Sequence, residues 1–500
     1  MRQGPLAGRY PAVAAMVLLA LIPYLALSAA LEPLTSIIGH DLGAGAQAMS
    51  LSSGLANAAY AVGTVLAVQL AQHLPQRRVM LVYVVFLVIA SIVTASAQSI
   101  FMFDAGRIVQ GFCTSLLLIA AVPPLALGYP VAKLKTTAVI MSMCIFGAVA
   151  AGPAIGGLQA QADAWRPLFW VVAGIAVAAL AFALLTFEDA PPADPTSPVD
   201  IPAIGLAAVG CVAAFFGASM LTTHAFLDPI AIVPLVGGLA VIVILIVYQA
   251  TAPNPLLTIR SMLTSSIPVA GIVLALLAAA ASVSATALTV ETLADQYSPL
   301  HLGLLYLPEL GGAFLTAVVL GQVITRRALQ WLPLVGMGFL ALGILLFRIE
   351  VPASEGMTLV ASFVTGIGLG ATVAPALFVS GFALRATNLQ RVFAIVELMR
   401  AVAAFLIAPI FAHFAVNASG GLDSGVGIAL WIGFALAILG GVIPVLIYLG
   451  SGARPKTPNL EGFLAGEGPA YPSPPLLARL RGLGSGQGQG QGQAVTEGVE

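Results

Sequence analysis

The chain has 500 residues, 60% of them hydrophobic and 8% charged, with a formal net charge of −1. Soluble domains carry roughly 25% charged residues, so the 19 basic and 20 acidic side chains present here cannot cover a water-soluble molecule of this length. A string of soluble domains is excluded, and without a basic field so is nucleic-acid binding; what remains is an all-α polytopic membrane protein.

A helix that crosses a bilayer needs about 20 apolar residues and satisfies its own backbone. Fourteen such stretches follow in chain order, at 13–37, 48–71, 79–97, 102–124, 137–159, 167–187, 201–221, 229–249, 266–289, 302–324, 329–348, 357–381, 391–415 and 426–449. An even number puts both termini on one side, and the basic residues say which. Loops on the N-terminal side hold Arg2, Arg9, Arg77, Arg78, Lys133, Lys135, Arg260, Arg326, Arg327, Arg385, Arg391, Arg454, Lys456, Arg479 and Arg481. The opposite side has Arg166 and Arg348, while Arg107 and Arg400 fall within spans. Both termini are therefore expected in the cytoplasm of a multi-pass cell-membrane protein. The first stretch, with Arg2 and Arg9 ahead of it and small residues at Ser28–Ala30, also fits a cleaved secretory signal. Its apolar run continues to Ile38, so it reads as a retained helix.

Cys113, Cys144 and Cys211 all lie in apolar stretches and read as packing thiols rather than a disulfide framework or metal cluster. After the sixth span, residues 188–200 are acidic and proline-rich, a solvated linker. Beyond about 450 the chain becomes Pro/Gly-rich and ends in a Gly-Gln repeat, Gly484 to Gln493, so 451–500 is expected to be a disordered tail.

Ionisable groups at membrane depth are costly and therefore informative. In the fourth span Asp104, Arg107, Gln110 and Gly111 are three and four apart and share one helix face. This is either a self-neutralised pair that makes insertion tolerable or an arginine facing a polar cavity. The fifth span runs from Gly147 to Gly157, with Gly152 and Gly156 four apart on a smooth face suited to close helix contact. Pro153 removes a backbone hydrogen bond there and should bend the helix.

Arg107-Ile-Val-Gln110-Gly111 resembles the fourth-helix arginine motif of the major facilitator superfamily. Gly147 to Gly157 resembles its fifth-helix antiporter motif, Gly-x-x-x-Gly-Pro-x-x-Gly-Gly, with the core Ala151-Gly152-Pro153-Ala-Ile-Gly156-Gly157. Trp165-Arg166 stands where drug:proton antiporters carry a similar pair. Asn254-Pro255-Leu-Leu-Thr-Ile-Arg260 and the stretch Tyr297 to Pro308 resemble the fourteen-span EmrB/QacA-type branch. The resemblance implies two six-helix halves, 1–187 and 250–450, with an inserted helix pair at 201–249. The loop after span two (Gln72 to Arg78, with Arg77) should then recur eight spans later, where Thr325-Arg326-Arg327 stands. These basic loops are the gating loops of the family. One departure is clear: the family's second-loop pattern, Gly-x-Leu-Ala-Asp-Arg-x-Gly-Arg, has an acid where this chain has Gln72, and Thr325 in the second copy.

Four carboxylates remain at or near membrane depth: Glu32 late in the first span, Asp104, Glu309 beside Pro308, Gly311 and Gly312 in the tenth, and Glu397 in the thirteenth. A carboxyl taken out of water holds its proton more readily. Glu397 has Arg400 three residues on and can pair with it, so Glu32 and Glu309, which lack a helical partner, are the better proton carriers. His40, His73, His224, His301 and His413 are scattered, and there is no phosphate-binding glycine loop, so ATP use is not expected. The expected protein is a monomeric secondary transporter that exports a small hydrophobic or cationic substrate by alternating access, with no cofactor and the proton as coupling ion. The missing acids leave a proton-independent facilitator or importer as the rival. A membrane-embedded enzyme is disfavoured by loops too short and too poor in reactive groups.

Overall fold

In the computed structural model, which describes residues 5–186, 192, 194–476 and 478, each of the fourteen apolar stretches forms a helix long enough to cross a bilayer. They are α1 (Tyr10–Ala30), α2 (Ala46–His73), α3 (Gln76–Ala95), α4 (Ile100–Leu127), α5 (Val131–Gln161), α6 (Arg166–Thr186), α7 (Ile201–Met220), α8 (Pro229–Thr251), α9 (Ser266–Leu293), α10 (Pro299–Val323), α11 (Leu332–Ile349), α12 (Glu355–Phe382), α13 (Ala386–Val416) and α14 (Gly421–Ser451). A short α15 (Leu460–Leu464) follows.

Local chemistry sets the ends. Asp200 and Asp228 cap α7 and α8 through their carboxylates, and Ser298 caps α10 with Pro299 in the first position, where its missing N–H costs nothing. The first span is shorter than the sequence suggests. α1 stops at Ala30, Glu32–Leu34 forms a 3₁₀ turn around Pro33, and a separate helix, Thr35–Leu42, runs on to Gly43 at φ 63°. Glu32 therefore lies beyond the span rather than late within it. α9 and α10 are also broken, at Thr286 and Leu307.

Packing repeats at an offset of eight helices. In the first half α4 packs on α2 and α3, α6 on α1 and α3, and α5 on α1. In the second α12 packs on α10 and α11, α14 on α9 and α11, and α13 on α9. The halves meet along two seams, α5 against α10 and α2 against α13, and the same offset carries one seam onto the other. The inserted helix α7 lies on α2 and touches α13, while α8 packs on α7. In the most apolar window of α4, 78% of residues are buried, against 28% in α8 and α14. α4 is thus a core helix, and valines and isoleucines of α8 such as Val233, Val243 and Ile244 are left to face lipid.

The chain after α14 departs from expectation. Residues 453–476 are packed rather than disordered, with Phe463 and Tyr471 buried, because their few large side chains find pockets between helix ends that composition does not reveal. The Gly-Gln repeat, Arg479 and Arg481 lie outside the described residues. The linker is also tied down over residues 194–200. The Asp194 N–H donates to the Gln72 carbonyl (3.0 Å), the Ser197 hydroxyl to the Gln72 amide oxygen (3.4 Å), and the Asp200 N–H to Gln69 (3.0 Å). Gln72, at the position of the missing acid, grips the linker.

Candidate functional site

Two groups of polar side chains lie between the halves. The first is a buried relay across the α2/α13 seam. Arg107 on α4, 2% exposed, donates to Gln110 (3.3 Å) and lies 4.9 Å from the centre of the Tyr24 ring on α1. Gln110 passes a hydrogen bond to Ser91 (3.1 Å). Tyr24 stacks on Tyr60 of α2, centroids 6.1 Å apart, and the Tyr60 hydroxyl donates to Glu397 of α13 at 2.7 Å. Glu397 in turn accepts from Arg400 Nε at 2.9 and 3.0 Å. The expected Glu397–Arg400 pair is therefore formed, buried and bonded across the seam. The Tyr24 hydroxyl is buried without a hydrogen-bond partner among the described residues.

Asp104 is not part of this relay. Among the described residues it makes no ion pair with Arg107, because Gln110 and the Tyr24 ring offer the guanidinium partners deeper in the core. The carboxylate stays half-buried near Ser52 of α2. The self-neutralised reading of α4 does not hold.

The second group is acidic. Glu309, 6% exposed, sits in the first turn of the α10 segment that restarts at Pro308. Tyr306, just before that restart, donates its hydroxyl to Thr289 of α9 at 2.7 Å, and Glu32 and Glu309 are both in electrostatic reach of it. Glu32 also interacts electrostatically with Glu291 near the end of α9. None of these three carboxylates is in an ion pair among the described residues. Glu291 was missed because it falls just past the expected end of the ninth span. Its signal was the internal repeat: α1 and α9 are equivalent, and each has an acid at or just past the end away from the arginine-rich loops. Tyr24, Tyr60 and Tyr306 had no such signal, since a tyrosine in an apolar run reads as core.

The small-residue face of α5 lies between these groups. A side chain at Gly152 would meet Ala29 and the Ala26 carbonyl, and one at Gly156 the Ala30 carbonyl and Pro33, all on α1 or its turn. One at Gly157 would strike Pro299 on α10, and the Gly303 backbone of α10 packs back on Pro153 and Ala154. Gly147 faces Met143 and Leu310. The break in α5 is a π turn at Met143–Gly147, upstream of the expected bend at Pro153. Pro153 itself stays inside a helix. Of the gating-loop arginines, Arg78, Arg326 and Arg327 are exposed and Arg77 is half-buried.

On the face opposite the arginine-rich loops, Asp41 ties the Thr35–Leu42 helix to the rest. It accepts from Trp165 Nε1 (2.9 Å) and from Arg166, which also donates to the Ala97 carbonyl (2.8 Å). The Trp165 and Arg166 hydrogen bonds, helped by the Arg166 charge, hold the Asp41 carboxyl below the usual carboxylate range.

Residues 15–245 match the family model described as Major Facilitator Superfamily. The chain is 26% identical over 180 residues to the lincomycin resistance protein LmrB of Bacillus subtilis, a match covering 35% of this chain and 37% of that protein. It is 24% identical over 366 residues to the drug efflux pump JefA of Mycobacterium tuberculosis, covering 66% of this chain and 68% of the pump. The chain thus spans just over a third of the first relative and about two thirds of the second. The human organic anion transporter MFSD10 shares the fold with a TM-score of 0.60 at 14% identity, over 87% of this chain and 99% of that one.

Proposed function

We propose that the chain, whose residues 15–245 match the Major Facilitator Superfamily model, is a transporter of that superfamily and a proton-coupled exporter of hydrophobic or cationic small molecules, working as a monomer with its arginine-rich face in the cytoplasm. The observation that carries the reading is the acidic group: Glu309 buried on α10, with Glu32 in electrostatic reach of the same Tyr306 and no ion pair to either among the described residues. A carboxylate held in an apolar surround without a countercharge favours its protonated form, and water entering the cavity reverses that preference. The relatives named for lincomycin resistance and drug efflux support a small-molecule substrate.

In the proposed cycle a compound enters from the cytoplasm or inner leaflet while Glu309 is ionised. The halves rock about the α5/α10 and α2/α13 seams, the outer side opens, and a proton from outside neutralises Glu309 and displaces the compound. Return of the empty, protonated carrier releases the proton inside. Glu32, the open member of the group, attracts the cationic substrate. The Glu397–Arg400 pair is the fixed joint of the opposite seam.

The test is transport in proteoliposomes with an imposed proton gradient over a panel of cationic and neutral compounds. Glu309→Gln, which resembles the protonated acid, should abolish gradient-driven export while substrate binding survives. Glu32→Gln should weaken cationic compounds more than neutral ones. Unchanged export with unchanged proton release in Glu309→Gln would move the coupling site to Asp104 or to the Glu397–Arg400 pair. A facilitator is favoured by one observation, the absence of the acid at Gln72 and Thr325. It would be recognised by transport that equilibrates the compound and ignores the proton gradient.

A further inference from the structure

The segment after α14 is built to stay folded. Gly452 ends α14 at φ 73° and turns the chain back, Asn459 caps α15 by accepting from the Gly462 N–H at 3.2 Å, and Gly466 at φ 79° closes the following turn. What it covers is specific. The last four carbonyls of a helix and its first four N–H groups have no partner within the helix. At the end of α12, the Val379 carbonyl accepts from the Tyr471 hydroxyl and the Phe382 carbonyl from the Ala470 N–H (2.8 Å). At the start of α9, the Ser266 N–H donates to the Pro474 carbonyl and the Ile267 N–H to the Ser473 hydroxyl, both at 3.0 Å. An isolated antiparallel bridge joins Ser265 and Pro475. Phe463 meets Phe382 edge to face at 5.2 Å, and α15 rests against the first helical segment of α5, where Leu134 is 2% exposed.

One segment thus caps two helix ends of the second half and touches the first half at its seam helix. We propose that residues 453–476 are a latch on the arginine-rich face: anchored to α9 and α12, they hold α15 against α5 and must release α5 when that face opens. The proposal rests on the transporter reading, though not on which compound is carried or on proton coupling. It fastens the face at which Gln72 and Thr325 stand in place of the family pattern's acid. Rocking the halves apart moves α5 away from α9 and α12, so α15 cannot keep both sets of contacts.

The experiment uses the full chain, whose three native cysteines are buried. In inside-out vesicles, Leu134→Cys is labelled by a membrane-impermeant maleimide, with Ala138→Cys as a second probe should the first be poorly expressed. Adding Phe463→Ala and Tyr471→Ala, which removes a hydrogen bond and two apolar side chains, should speed labelling about tenfold. A bismaleimide joining Lys133→Cys to Glu461→Cys should stop transport, whereas a disulfide between Ser265→Cys and Pro475→Cys, on the anchored side, should leave the rate unchanged. Labelling unaffected by the alanine pair, or full transport with α15 tethered to α5, would show a static cap and overturn the latch. Because labelling reads the opening of the face and not the cargo, it stands even if drug export itself fails.

Discussion

Tyr60 is the residue on which the α2/α13 seam turns, since its hydroxyl is what Glu397 accepts from the other half. A hydrogen bond to a charged group contributes about 1.5–3 kcal/mol. Tyr60→Phe keeps the ring stack on Tyr24 and should lose stability of about that size, with slower transport, read by thermal unfolding in detergent beside initial rates. Glu397→Gln is harsher, because Arg400 is left buried without its counter-charge, a loss of about 3–5 kcal/mol. An unfolding temperature for Glu397→Gln equal to the parent's would show that water, not Glu397, compensates Arg400. Asp41 gives a pH prediction outside the membrane. Its carboxyl is held below the unfolded value of about 3.9 by Trp165 and Arg166, so its contribution is full above that value and is lost as pH falls through the lower, folded one. Asp41→Asn should therefore be less stable than the parent at neutral pH, and the two melting curves should converge in acid. A gap that stays constant down to the lowest pH would assign the contribution to packing rather than charge.

At the scale of elements, α5 is held between α1 and α10 by its glycines. Backbone approaches backbone at Gly152, Gly156 and Gly157 more closely than a Cβ permits, so helix contact there depends on side chains being absent. Gly156→Leu should lower transport at least about tenfold while leaving the protein in the membrane, as overpacking by 1–3 kcal/mol separates the helices. Gly174→Leu on α6, where an added side chain meets open space, is the matched control and should transport normally. Equal activity of the two variants would remove the close-contact role from α5. The glycine spacing was readable in one dimension, because a four-residue repeat of small residues has a single geometric use. The position of the break was not. Pro153 removes one hydrogen bond and stays inside the helix, and the irregular turn stands upstream of it at Met143–Gly147.

At the scale of the molecule, the two seams and the eight-helix offset impose a topology that can be tested. Reporters fused after Arg78, Lys135 and Arg327 should read inside, and those near His40, Asp228 and Asp423 outside. An outside signal at Arg327 would be incompatible with the inserted pair α7–α8, since removing either helix reverses every loop beyond it. The pair also shields one seam from lipid, as α7 packs on α2 and touches α13 while α8 packs on α7.

The sequence by itself determined the number of spans, the sidedness bias of the basic loops and the fifth-helix glycine face, and it offered the Glu397–Arg400 pair. Each follows from a local rule: twenty apolar residues, alternate loops, a four-residue repeat, an i to i+3 spacing. Tertiary structure alone decided which charges meet. Arg107 and Asp104 share a helix face yet part company, because the guanidinium finds Gln110 and the Tyr24 ring in the core. Glu32 and Glu309 lie 277 positions apart yet come within electrostatic reach of one tyrosine, because the turn after α1 and the broken α10 bring them to it. The same holds at the C-terminal end: Tyr471 is buried because the ends of α9 and α12 present unpaired backbone groups to the chain that follows α14. Composition counts apolar residues but carries no record of where helix ends meet, and that meeting is what turned an expected tail into a packed segment.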